Sequence, residues 1–237
     1  MTTLIVIDGG PGWIVVDKPG GVSVHNDPGR DLISMLGAMI RSDAGLADRI
    51  ACPEGTAPSP AHRLDRDTSG VILFGMNSKI LRDVARQFET RQVDKHYLAL
   101  VHGHFDESEV LWDAPLSPEA GGRNNPVGKG KKVACATRVR VLDQSPHYAL
   151  IACELLTGRK HQIRRHACLA GHPVLGDERY ASKRAVDFVR NRAGFDRLGL
   201  HAHRLELILP GSPDARIFTS PMPQAFVTML DMDKAGG

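Results

Sequence analysis

The stretch SGVILFGM, residues 69–76, constrains this chain most, because it runs without a break into the segment NSKILRDVARQFETRQ, residues 77–92. The first reads as a strand anchored in a sheet. The second reads as an amphipathic helix, with Asn77 at the capping position and Ile80, Leu81, Val84, Ala85 and Phe88 forming its apolar stripe. Directly before the strand stands HRLDRDT, residues 62–68, where basic and acidic groups crowd a strand entrance. A turn into a strand is served by Asp67, Thr68, Ser69 and Gly70, through Asx-type or hydroxyl hydrogen bonds. Arg63 and Asp65 are not needed for that purpose, which makes them candidates for chemistry.

The rest of the chain is strand-rich. WIVVDKP (13–19) reads as a short buried strand stopped by Pro19, with GGVSVHN following as turn and strand. DLISMLGAMI (31–40) suits a short helix, and residues 41–60 read as a loop. KHYLALVHG (95–103) is a strand, and VACATRVRVLD (133–143) with HYALIACELL (147–156) forms a hairpin around Gln-Ser-Pro. KHQIRRHACLAG (160–171) is a helix with Gly171 as its stop. HRLELIL (203–209) and ARIFTS (215–220) make a second hairpin, and PMPQAFVTMLDM (221–232) a terminal helix with proline in its first turn. This pattern predicts an α+β fold with a mixed, largely antiparallel sheet and flanking helices. No linker divides residues 1–237, so one domain is expected.

Several function classes fall away. No apolar run is long enough to span a bilayer, so no membrane partner is expected. The opening MTTLIVIDGG has no basic leader or small-residue cleavage site, which points to the cytoplasm. Cys52, Cys135, Cys153 and Cys168 are widely spaced and read as reduced thiols. The Gly/Lys-rich GGRNNPVGKGKK (121–132) lacks the spacing and the hydroxyl residue of a P-loop, and neither G-x-S-x-G nor H-E-x-x-H occurs. His62, Asp65, His201 and His203 lack the grouping of a zinc site, so no metal is expected. Net charge is only +3, but the cations cluster in 121–132, 158–166 and 182–197, as a polyanion-binding protein requires and as solvated faces also show. Asp65 and Asp67 lie too close in sequence for the opposed carboxyls of a glycosidase.

Taken together, five segments resemble the RluA-type RNA pseudouridine synthases in the family's order. HRLDRDTSG is similar to that family's H-R-L-D-x-x-T-S-G, and WIVVDKPGGVSVH, KHYLALVHG, TGRKHQIRRHACLAGHPVLGDERY and LHAHRLEL resemble its other motifs. The resemblance runs from about residue 11 to 210 and implies the pseudouridine synthase catalytic fold, with no cofactor. It makes Asp65 the nucleophile, Tyr97 the ring that stacks on the target uracil, and Arg164 the partner of the aspartate. Ile163 would line the uracil pocket, and Arg63 would take the place of the extruded base. His62, Arg159, Lys160 and Arg165 would contact the RNA.

The chemistry suits these residue types. Detaching, rotating and rejoining uracil is an isomerisation that needs no redox group. A carboxylate can serve as nucleophile at an oxocarbenium-like sugar carbon, a nearby arginine favours its ionised form, and an aromatic ring offers a platform for a flipped base. The family's small N-terminal RNA-binding domain is expected to be absent, leaving 119–132 and 182–197 as basic loops for RNA. Within the family the resemblance is greatest to tRNA pseudouridine synthase C, implying action on tRNA, with ribosomal RNA as the alternative; a monomer is expected. A non-catalytic RNA-binding protein or chaperone on the same fold, and a carboxylate glycosidase or nucleoside hydrolase, are the competing classes.

Overall fold

The computed structural model describes residues 4–236, which gather into two compact units. One holds residues 4–95 with 202–221, and the other 96–201 with 222–236.

The first unit begins with β1 (Ile5–Gly10) and β2 (Trp13–Lys18), an antiparallel pair, followed by helices α1 (Leu32–Ser42) and α2 (Ala44–Arg49). A two-residue strand β3 (Ser59–Pro60) leads to β4 (Ser69–Gly75) and α3 (Ser78–Glu89). Strand β4 lies antiparallel to β2, with Val16 opposite Ile72 and Lys18 opposite Gly70. Alternation along β2 and β4 feeds two cores. Ile14, Val16, Ile72 and Phe74 meet Leu32, Leu36 and Ile40 of α1. Trp13, Val15, Val71 and Leu73 meet Ile80 and Val84 of α3. All seven residues of β4 are buried, which explains why its sequence shows no polar alternation.

The second unit holds β5 (Asp94–His102), β6 (Glu109–Trp112), β7 (Thr137–Gln144) and β8 (Tyr148–Leu155), all paired antiparallel in the order β5-β8-β7-β6. Helices α4 (Gln162–Leu169) and α5 (Lys183–Ala193) follow. From residue 202 the chain returns to the first unit in β9 (Leu200–Ile208) and β10 (Ala215–Thr219), an antiparallel hairpin, and it ends in the second with α6 (Gln224–Gly236). Phe226, Met229 and Leu230 of α6 pack with Leu100, Leu150 and Val189.

The expected α+β class with a largely antiparallel sheet and flanking helices is the one observed. Asn77 caps α3 by accepting from the Ile80 N–H at 3.0 Å, and Gly171 takes a left-handed φ of 83° just beyond α4. Four readings are corrected. The 41–60 loop contains α2, started by Asp43 accepting from the Leu46 N–H. Residues 20–26 form no strand. The strand read at 133 starts at Thr137, because Val133 bridges to Leu116 and the Cys135 thiol turns to the Ala114 carbonyl. Residues 182–197, expected as a loop, are mostly the helix α5, and no helix among the described residues could cross a membrane.

Gly70 marks the tightest approach in the first unit. Its φ is 110°, and a Cβ there would stand 2.2 Å from the Ala202 carbonyl oxygen on β9. Gly21 also has a positive φ, of 80°, but open space around it. Gly70→Ala should therefore cost roughly 3 kcal/mol or more, against about 1 kcal/mol for Gly21→Ala, read from urea midpoints. Equal losses would mean that conformation alone, and not the Ala202 contact, sets the requirement.

Candidate active site

Residues 61–68 are irregular but held at both ends. The Ala61 N–H donates to the Leu73 carbonyl at 2.9 Å, and the Leu73 N–H donates back to His62 Nε2 at 3.1 Å. The Thr68 N–H closes a four-residue turn on the Asp65 carbonyl at 3.2 Å. The turn thus starts at Asp65 itself, and Ser69 and Gly70 already belong to β4, which corrects the assignment of 67–70 as the turn. Leu64 packs into the α1-side core, leaving Arg63 exposed on one side and Asp65 half-buried on the other.

Beneath this turn lies a residue that sequence reasoning passed over. Lys18, wholly buried at the end of β2, donates to the carbonyls of Pro19 at 2.9 Å and Arg66 at 2.7 Å. Arg66 in turn donates from Nε to the Gly21 carbonyl at 3.0 Å. The signal was the charged D-K inside the apolar WIVVDKP, where a strand destined for burial carries a cation that must find acceptors.

His62 serves the fold. Its ring lies 5.3 Å from that of Phe88, and Nε2 is engaged by the strand, so an RNA contact would have to come from elsewhere on the ring. Burial, helped by the Lys95 charge, pushes its pKa down to about 4.

In the second unit, Tyr97 on β5 and the buried Ile163 on α4 pack into one cluster with Ala99, Cys153 and Ala167. The structure thus brings together the two residues expected to frame the uracil. Gln162 fixes the start of α4: its amide donates to Ala136 O and Thr137 Oγ1 and accepts from Thr157 Oγ1 and the Arg159 N–H. His161 before it is left-handed, with φ 54°. Arg159 and Lys160 are exposed at this helix start, as an anion-contacting role requires.

Arg164 is buried and forms a two-pronged pair with Asp177: Nε to Oδ2 at 2.7 Å and Nη2 to Oδ1 at 2.8 Å. The Asp177 carboxylate also accepts the N–H groups of Arg179 and Tyr180, and the Arg164 guanidinium lies 5.3 Å from the Tyr180 ring centroid. Asp177 is the second residue missed. Its signal was the terminal G-D of GHPVLGD, quoted in the resemblance but given no role.

Arg165 is a correction. Expected to face RNA, it is fully buried, and its guanidinium donates to the carbonyls of Pro126 (2.6 Å), Ser117 (3.0 Å), Lys160 (3.2 Å) and Val127. Wholly buried and engaged by these carbonyls, the guanidinium is not presented to a phosphate. It ties the 117–127 loop to the head of α4, while Arg179 holds the same loop at Ala120 and Gly121. The 117–132 segment that contains this loop exposes Arg123, Lys129, Lys131 and Lys132.

With this geometry in place, the comparisons with known proteins speak to the same segments. The family model described as RNA pseudouridylate synthase matches residues 12–168. The chain belongs to the RluA-type RNA pseudouridine synthase family. It is 34% identical over 212 residues to the ribosomal large subunit pseudouridine synthase C of Vibrio vulnificus, covering 88% of this chain and 62% of that one. To the ribosomal large subunit pseudouridine synthase D of Zymomonas mobilis it is 33% identical over 225 residues, covering 92% and 69%. It spans under two thirds of the length of the ribosomal large subunit pseudouridine synthase C of Vibrio vulnificus, Vibrio cholerae and Haemophilus ducreyi, at 62%, 59% and 65%. The solved human RNA Pseudouridylate Synthase Domain Containing 4 shares the fold, with a TM-score of 0.75 at 23% identity, covering 96% of this chain and 92% of that one.

Two outcomes follow from these contacts. Arg165→Leu removes a donor from four carbonyls, of which that of Val127 keeps the Ser117 N–H, and should cost about 3 kcal/mol, with amide exchange accelerating across 117–128 more than in β8. Unchanged exchange in that loop would remove Arg165 as its clamp. His62 behaves differently. In the fold it resists protonation until about pH 4, whereas an unfolded histidine takes a proton near 6.5. Stability should therefore fall as pH drops from 6.5 toward 4. His62→Gln, which keeps an acceptor for Leu73 but does not titrate, should flatten that slope in urea titrations.

Proposed function

We propose that this protein isomerises uridine to pseudouridine in large-subunit ribosomal RNA, with Asp65 as the nucleophile. The observation that carries the reading is the setting of Asp65: its carbonyl closes the turn at the head of β4, and its neighbours are the exposed Arg63 and the core-anchored Leu64. A carboxylate whose backbone is fixed on both sides can be presented to a sugar carbon without first being ordered.

The reaction balances without an outside reagent. The N1–C1′ bond breaks, the uracil turns, and a C5–C1′ bond forms. The C5 proton is lost and N1 is protonated, so the product is an isomer. Asp65 supplies electron density while the sugar carbon is cationic in character. Tyr97 is proposed as the stacking ring for the extruded uracil and Ile163 as the apolar wall beside it, a pairing supported by their shared cluster. Arg164 is proposed as the cation that serves the carboxylate, and Asp177 as the group that orients Arg164. Arg63, exposed and long, is proposed to fill the place the base vacates. Arg159 and Lys160 are proposed as phosphate contacts.

The substrate moves from tRNA, favoured by the sequence resemblance, to ribosomal RNA, because the relatives reported above are named for the ribosomal large subunit. Incubating the protein with unmodified large-subunit ribosomal RNA and, separately, with tRNA transcripts, then mapping pseudouridine, tests both. Asp65→Asn should lower formation by roughly a thousandfold or more while leaving RNA affinity nearly unchanged. Modification of tRNA alone would restore the tRNA reading. Free uracil would point to a hydrolase, and RNA binding with no product to a non-catalytic protein.

A further inference from the structure

Helix α5 presents an exposed face that none of the proposed roles uses. Ser182 caps it by accepting from the Ala185 N–H at 3.1 Å, and Gly194 ends it with a left-handed φ of 63°. Val186 and Val189 are its buried side. On the outer side Arg184, Phe188 and Arg192 follow one another at four-residue spacing and therefore share a face. Phe188 is 54% exposed and is the one large apolar side chain on α5 left so open. The Arg192 guanidinium lies 5.9 Å from its ring centroid.

The charges on α5 divide in a telling way. Lys183 pairs with Asp187, and Arg190 with Glu178. Arg184 and Arg192, one turn before and one turn after Phe188, make no ion pair among the described residues. An exposed aromatic ring between two arginines without ion pairs, their backbone positions about 6 Å before and after it along the helix axis, is matched by a planar base with phosphates on either side. A self-association patch would need a broader apolar area than one ring among Arg184, Asn191 and Arg192 provides.

We infer that the α5 face of Arg184, Phe188 and Arg192 is a docking site for an unpaired segment of substrate RNA, with one base stacked on Phe188. This rests on the reading that the protein acts on RNA and adds a contact outside the segments that carry the catalytic residues. Phe188 would hold a base without reading its identity, since every base has a stacking face, and the arginines would add affinity that salt erodes.

The test uses the full chain with a fluorescent, unmodified large-subunit ribosomal RNA fragment and a perfect RNA duplex as control. Phe188→Ala should weaken binding to the fragment by about five- to 100-fold and leave duplex binding unchanged, with Phe188→Trp restoring affinity. Arg184→Gln and Arg192→Gln should each lower the slope of log affinity against log salt by about 0.7. Because Phe188 is exposed, its variants should keep the wild-type melting temperature, which is measured alongside. Equal affinity of wild type and Phe188→Ala for the fragment overturns the inference, even if pseudouridine forms normally. A wild-type dimer that Phe188→Ala dissociates also overturns it, in favour of self-association. Phe188-dependent binding without pseudouridine formation would instead sustain this site while failing the catalytic reading.

Discussion

The ammonium of Lys18, withdrawn from solvent at the end of β2, donates to the carbonyls of Pro19 and Arg66, and the turn that carries Asp65 depends on it. An isolated buried cation is too costly to persist without acceptors, so the chain around it must keep those carbonyls in place. Arg66 is the residue after Asp65, which makes the requirement local: holding its carbonyl limits where the Asp65 backbone can go. The Thr68 N–H, bonded to the Asp65 carbonyl, limits it from the other side. The apolar run of β4 then fixes the whole turn to a strand buried on both faces.

A similar device recurs in the second unit with the polarity of its parts changed. Arg164 and Asp177 are buried together and joined by two short bonds, and the carboxylate is completed by the N–H groups of Arg179 and Tyr180. Removing either partner would strand a charge in the interior, which is why such pairs specify a conformation even where they add little net stability. The neighbouring Arg165 does the same work on backbone carbonyls alone. Consecutive arginines on α4 thus have different duties: one is held by an acid, the other holds a loop.

Much of this was legible in the chain. The strand–helix unit of 69–92 follows from an unbroken apolar run, a cap at Asn77 and a helical stripe, all signals local to the sequence. The candidate residues Asp65, Tyr97, Ile163 and Arg164 were reached through short ordered motifs. The misses share a cause. Arg165 looked like a phosphate contact because burial of a cation cannot be read from its neighbours in sequence; three of its four acceptors are carbonyls 38 to 48 positions away. Lys18 and Asp177 were in plain view but paired over distance. Helix α5 was taken for a basic loop because four cations obscure a stripe as short as Val186 and Val189.

These arrangements also bear on what the proposed reaction demands. Turning a detached uracil leaves the sugar carbon electron-poor while its partner is unbonded, so any water or drift of the carboxylate diverts the reaction to hydrolysis. Ordering the nucleophile at that moment would raise the barrier by the entropy of the ordering. In this chain that ordering precedes substrate: Asp65 is set by backbone bonds and a buried lysine, and Arg164 by a carboxylate whose remaining capacity goes to backbone N–H groups. The exposed cations, by contrast, sit on α5, on the 117–132 loop and at the start of α4, where exchange with solvent ions costs little. The proposed reaction assigns the rigid interior charges to chemistry and the exposed ones to capture, because only the former must not move while bonds are broken.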